Sequence, residues 1–113
     1  MENSNQSLLT RFTTMAGRVG VILSALDLDL LDRPQLRLVG TIKRLLADTR
    51  LDIRDWEMSD SRAEMQKNAA EALGRLDQVR ASILLASEHD IFSTIDVAEI
   101  SAQFDMFESE LRK

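Results

Sequence analysis

Apolar residues recur along this chain every three or four positions, in four separate series, with polar residues filling the intervals. The first series is Leu8, Phe12, Met15, Val19, Ile22 and Leu26. Its unbroken 4-3-4-3-4 spacing keeps one stripe on one side of an α-helix. The second runs through Val39, Ile42, Leu46, Ile53 and Trp56, with Thr49 as its polar member and Leu38 and Leu45 widening the stripe. Met65, Ala69, Ala72, Leu76, Val79, Ile83 and Ala86 form the third, and Val97, Ile100, Phe104, Phe107 and Leu111 the fourth. A strand would alternate with period two, and no segment sustains that alternation. The pattern predicts helices over 7–26, 33–57, 61–87 and 94–112.

Polar residues between the series supply start signals, because a helix leaves its first backbone N–H groups unpaired. Ser93 is placed to accept from the N–H three residues on, with Asp96 reaching back and Phe92 and Val97 flanking as a hydrophobic staple. Asp32 repeats the layout with Gln35 as reciprocal partner, Leu31 and Leu36 as staple, and Pro34 in the first turn, where a missing N–H is harmless. Ser61 followed by Glu64 makes a third box, with Ser59 as the alternative cap.

Met58-Ser59-Asp60-Ser61 contains neither Gly nor Pro, so phase decides whether the second and third helices form one rod. Carrying the heptad of Val39, Leu46 and Ile53 forward predicts apolar residues where Asp60, Lys67 and Gly74 stand. The third stripe is displaced by two positions, about 200° of rotation at about 100° per residue. A straight rod would bury opposite faces at its two ends, and a reverse turn removes the conflict. Short connections near 27–32, 58–61 and 88–93 make sequential helices antiparallel neighbours. The expected fold is all-α, an antiparallel up-down-up-down four-helix bundle spanning 1–113 as one domain, with 1–6 flexible.

Composition agrees: 44% of residues are hydrophobic and only 4% aromatic, with one Pro and four Gly, a vocabulary of helix packing. There is no Cys, which excludes disulfides, thiolate metal sites and cysteine nucleophiles. The polar N-terminus lacks the basic region of a signal peptide, and the longest apolar run, Val19 to Leu26, is far shorter than the roughly 20 residues of a membrane span. A soluble, cytoplasmic protein is expected. Net charge is −5, and the second half carries the imbalance: residues 1–57 hold eight basic and eight acidic side chains, residues 58–113 six and eleven. That balance disfavours nucleic acid and anionic membrane, which need clustered Lys and Arg; only Arg33, Arg37, Lys43 and Arg44 offer a basic segment.

Chemistry-bearing residues are few. His89 is the sole histidine, lying at the end of the third stripe between acidic neighbours, where a side chain meets helix carbonyls and the negative end of the dipole. The Glu-x-x-His pattern of carboxylate-bridged metal bundles is absent. Asp27, Asp29 and Asp32 share only their spacing with a calcium loop and lack its central Gly and final Glu. Gly17 and Gly20 lie inside a helical period with no strand before them, so they do not form a phosphate loop. No catalytic, cofactor or metal residue is assigned; an enzyme would have to work through an unrecognised pair of carboxylates.

Two surfaces stand out. The first helix has Arg11 and Arg18 as its only charges, and its face away from the core carries Thr10, Thr13, Thr14, Gly17, Val21 and Ser24. Glycines in a helix interior cost about 1 kcal/mol each relative to Ala, a cost that close approach of another helix would explain. The second is the acidic stretch from Glu88 to Glu110, whose Asp105, Glu108 and Glu110 are either solvated or paired with Arg37, Lys43 and Arg44 or with a basic partner. The chain therefore reads as a non-enzymatic helical protein–protein interaction module, an adaptor, regulator or chaperone, self-associating as a homo-oligomer through the first helix. In size and acidity it resembles the small helical chaperones of flagellar and type III export, which implies, as an alternative, service to a secreted or flagellar protein.

Overall fold

A computed structural model describes residues 7–113; the flexibility expected of 1–6 falls outside the described residues. Among these residues the regular elements are α1 (Leu8–Ser24), a 3-10 turn (Leu28–Leu30), α2 (Arg33–Glu57), α3 (Arg62–Glu88) and α4 (Thr94–Leu111). The fold is the all-α four-helix bundle expected from the periodicity.

Every helix start is capped by the side chain before it. Ser7, Asp32, Ser61 and Ser93 accept from the backbone N–H of Thr10, Gln35, Glu64 and Asp96. The box at α2 is complete, with the Gln35 side chain accepting from the Asp32 N–H at 2.9 Å. At α3 the reciprocal bond is displaced by one residue: Glu64 accepts from the Asp60 N–H, at 3.5 Å. Ser59 is not the cap, because its hydroxyl donates to the Asp55 carbonyl. Leu36, one half of the staple expected there, stays 42% exposed, while Leu31 packs against the core.

The ends of α1 and α3 are decided by local hydrogen bonding rather than by the stripe. α1 stops at Ser24, two residues short of the periodicity, because the Asp27 carboxylate accepts from the Asp29 N–H and starts a separate 3-10 turn. Leu26 nevertheless packs against the core from outside the helix. α3 closes with Asp90 in the left-handed region at φ 63°. The Ile91 N–H donates to the Ala86 carbonyl and the Asp90 N–H to that of Ser87, the paired bonds of a Schellman motif. Ile91 is buried over the same turn.

Cross-helix bonds give the topology. Arg11 meets Glu110 and Arg18 meets Glu99, so α1 and α4 are antiparallel. Gln35 reaches the His89 carbonyl while Asn68 reaches that of Asp55, so α2 and α3 are antiparallel. The Leu9 N–H donates to Glu57, setting the start of α1 against the end of α2. α1 therefore touches α2 and α4, and α3 touches α2 and α4, as in an up-down-up-down bundle.

The four stripes meet in one core. Phe12, Ile42, Ile53, Ala72, Leu76, Val79, Ala86 and Phe104 are almost fully enclosed. Phe12 and Phe107 pack edge to face with ring centroids 5.7 Å apart, and Phe104 lies beside Phe107. Ala69, Ala72 and Ala86 of α3 are buried in the same core, small residues that permit close helix approach. Thr49, the polar member of the α2 stripe, is fully buried and returns its hydroxyl to the Leu45 carbonyl at 2.6 Å. Burying a hydroxyl without such a partner would be unfavourable. Met65 departs from the pattern, staying 39% exposed.

Candidate interaction surface

Because α1 turns its stripe toward α2 and α4, its opposite side faces outward. Thr10, Thr13, Thr14, Gly17, Val21 and Ser24 are all exposed, and Val21 is exposed to 70%. Short local bonds occupy part of this row: the Thr14 hydroxyl donates to the Thr10 carbonyl and the Ser7 hydroxyl to the Thr10 Oγ1. A Cβ added at Gly17 or Gly20 would meet no atom within 4 Å. Among the described residues no contact therefore requires either glycine, and the close approach they permit is open to a second molecule.

The neighbouring helix also exposes apolar residues. α4 lies beside α1 and exposes Ile95, Ala98, Ala102 and Met106, spaced three or four apart along one side. Ile95 is 72% and Met106 57% exposed. Sequence reasoning missed this row because the acidic residues between its members dominate the reading of α4, and because adjacency of first and last helices is a property of the bundle. The Arg18–Glu99 pair, at 2.8 Å, joins the two helices and neutralises charge of α1 with charge of α4.

The acidic stretch finds partners other than those expected. Glu110 accepts from Arg11 at 2.6 Å. Asp105 accepts from Arg80 at 2.8 Å, with Glu108 at 3.7 Å from the same guanidinium. Arg37, Lys43 and Arg44 lie on α2, which sits diagonally across the bundle from α4, so the pairing once open to them is not formed. Arg80 also stacks over the Phe104 ring, 5.7 Å from its centroid, tying α3 to α4.

Other candidate chemistry resolves into structure. Asp27 and Asp32 serve as caps. His89 is the C-cap residue of α3, and it is its backbone carbonyl, rather than its ring, that holds Gln35, at 2.7 Å. Among the described residues no group of three or more His, Asp and Glu is arranged to hold a metal ion. None of the described helices is long and apolar enough to cross a membrane. On the α2–α3 seam, Arg75 bridges Asp48 at 2.9 Å and Asp52 at 3.4 Å. Burial raises the Asp52 carboxyl above the usual carboxylate range, against the lowering effect of Arg75 and with Glu71, Asp55 and Asp48 adding to the rise. The Asp52 Oδ2 atom has no hydrogen-bond partner.

No family model matches the chain, and neither a curated protein nor a solved structure is similar to it at a significant level.

Proposed function

We propose that this protein is a non-enzymatic, cytoplasmic helical interaction module, an adaptor, regulator or chaperone, that self-associates through the outer face of α1. The observation that carries this reading is the open space over Gly17 and Gly20 on a face whose charges are already committed to α4. Two glycines in a helix interior weaken it by about 1 kcal/mol each, and a second backbone packed closely against them would offset that loss. A two-fold pairing of α1 with its own copy uses only one patch and closes on itself. Ile95 and Met106 of α4 would then lie within the same contact and lose their exposure. The absence of cysteine suits a reducing compartment.

Gly17→Arg tests the proposal, because the substitution places a long cation where the copies would touch, at an exposed position whose added Cβ has open space among the described residues. Sedimentation equilibrium should find an oligomer for the wild type and a monomer for the variant, with helical content unchanged by circular dichroism. A wild type that is monomeric at high micromolar concentration would sink self-association.

A further inference from the structure

The stripes of α2 and α3 extend beyond the helix that should cover them. Leu111, in the last turn of α4, lines the same recess as Ala69 and Leu73, while α3 continues back to Arg62. The first turns of α3 therefore run past the end of α4 with that side open. Trp56 and Leu73 are only partly buried there, and Met65 is exposed, although all but Leu73 belong to the apolar stripes. The result is a recess of about 810 Å³ with an apolar floor of Trp56, Met65, Ala69, Leu73 and Leu111. It follows α3 for about 17 Å at about 1.5 Å per residue, the length of three helical turns.

Its rim has a charge opposite to that of the protein. Arg62, Arg112 and Lys113 border the recess, and none has an ion-pair partner among the described residues. Of the two carboxylate side chains there, Glu110 is taken by Arg11, leaving Asp60. In a chain of net charge −5, a cationic rim around an apolar floor selects an anionic, amphipathic occupant. Residues 1–6, Met-Glu-Asn-Ser-Asn-Gln, have no apolar stripe to offer.

We propose that this recess docks an acidic amphipathic helix of a partner protein, laid along the line that α4 leaves vacant. Apolar residues at i, i+3 or i+4 and i+7 cover Trp56 and Met65, and Asp or Glu on the flanks meet Arg62, Arg112 and Lys113. The site is separate from the α1 face and stands whether or not the protein self-associates.

Trp56, the sole tryptophan, reports occupancy directly. A displayed library of random peptides of about 12 residues, enough for three turns, is panned on the full chain, and the enriched sequences are synthesised. Enriched peptides should be acidic with helical apolar spacing, and should shift Trp56 emission to the blue. Arg62→Glu/Lys113→Glu and, separately, Met65→Glu, each checked for unchanged helicity, should weaken binding by about tenfold, roughly 1.4 kcal/mol. Gly17→Arg should bind as the wild type does. Failure to enrich, enrichment of basic peptides, a silent Trp56, or variants that bind equally well would each overturn the proposal. So would the same blue shift produced by equimolar phosphatidylglycerol–phosphatidylcholine vesicles or by concentrating the protein alone, or a red shift of Trp56 emission in the free protein on deleting residues 1–6, which would assign the recess to lipid, to a second copy or to the chain's own N-terminus.

Discussion

On the α1–α4 side of the bundle both arginines of α1 are held by carboxylates of α4, at 2.6 and 2.8 Å. On the α2–α3 side, Arg33, Arg37, Lys43, Arg44 and Arg50 of α2 have no ion-pair partner among the described residues. The same bundle thus presents one side whose arginines are neutralised by the neighbouring helix and one on which five bases of α2 are left for water. Any partner packing on α2 would have to desolvate those unpaired cations, an unfavourable step unless it brought opposite charge. A partner packing on α1 and α4 meets threonines, glycines and the exposed Ile95 and Met106 instead. Helix length separates the two sides as well: α2 and α3 have 25 and 27 residues, α1 and α4 only 17 and 18. The longer pair outruns the shorter, and the recess over Trp56 is the consequence.

The comparison breaks first if the two sides unfold separately. Phe104→Ala removes a fully buried ring that packs on Phe107 and underlies Arg80 of α3, and should cost about 3–5 kcal/mol. Urea transitions followed by helicity and by Trp56 emission should coincide in the variant. A Trp56 transition that trails the loss of helicity would mean that the α2–α3 hairpin survives alone.

A smaller effect tests how firmly α4 is anchored. Ser93→Ala loses the side-chain bond to the Asp96 N–H, 3.1 Å in the structure, and should destabilise by about 1 kcal/mol. Ser82→Ala, in the interior of α3, should be neutral or slightly stabilising, since Ala is the better helix former there. Equal losses in chemical denaturation would contradict the cap.

Glycines sharpen the contrast between exposed faces. Gly74 of α3 and Gly17 of α1 both have open space around them within the chain, so Ala at either position should stabilise the dilute protein by up to about 1 kcal/mol. At concentrations where the protein self-associates, the gain should persist for Gly74→Ala and fall for Gly17→Ala. Thermal melts across a concentration series measure the difference, and equal gains throughout would remove Gly17 from the interface.

The smallest expected effect lies on the α2–α3 seam. Because burial raises the folded-state pKa of Asp52, its contribution favours folding while the carboxyl is protonated, below its unfolded pKa, and is lost as pH rises through the folded value. Asp52→Asn should therefore be at least as stable as the wild type at neutral pH, and the gap should close on acidification toward the ordinary carboxylate pKa. Marked destabilisation at neutral pH would show that the contact with Arg75 outweighs burial.

Much of this architecture is local and was legible in the residues themselves. Asp32 with Gln35, and Ser93 with the Asp96 N–H, act over three positions, so the starts of α2 and α4 could be read without knowing their neighbours. The stripes were equally readable, because each helix must turn one side inward, and the phase break at Asp60, Lys67 and Gly74 located the reverse turn. The sparse charge of α1 likewise marked its outer face. The end of α3 was less legible, since Asp90 is one of the few residue types that tolerate the left-handed conformation but does not demand it.

Tertiary structure decided whatever depends on two distant segments meeting. Arg11 and Glu110 lie 99 positions apart, and only the closing of the bundle chooses Arg11 over the bases of α2. The same closure packs α4, with its exposed Ile95 and Met106, beside α1. Periodicity placed Trp56 and Met65 in the core because it records which side of a helix is apolar. It does not record how far a neighbouring helix extends, and α4 ends before it can cover them.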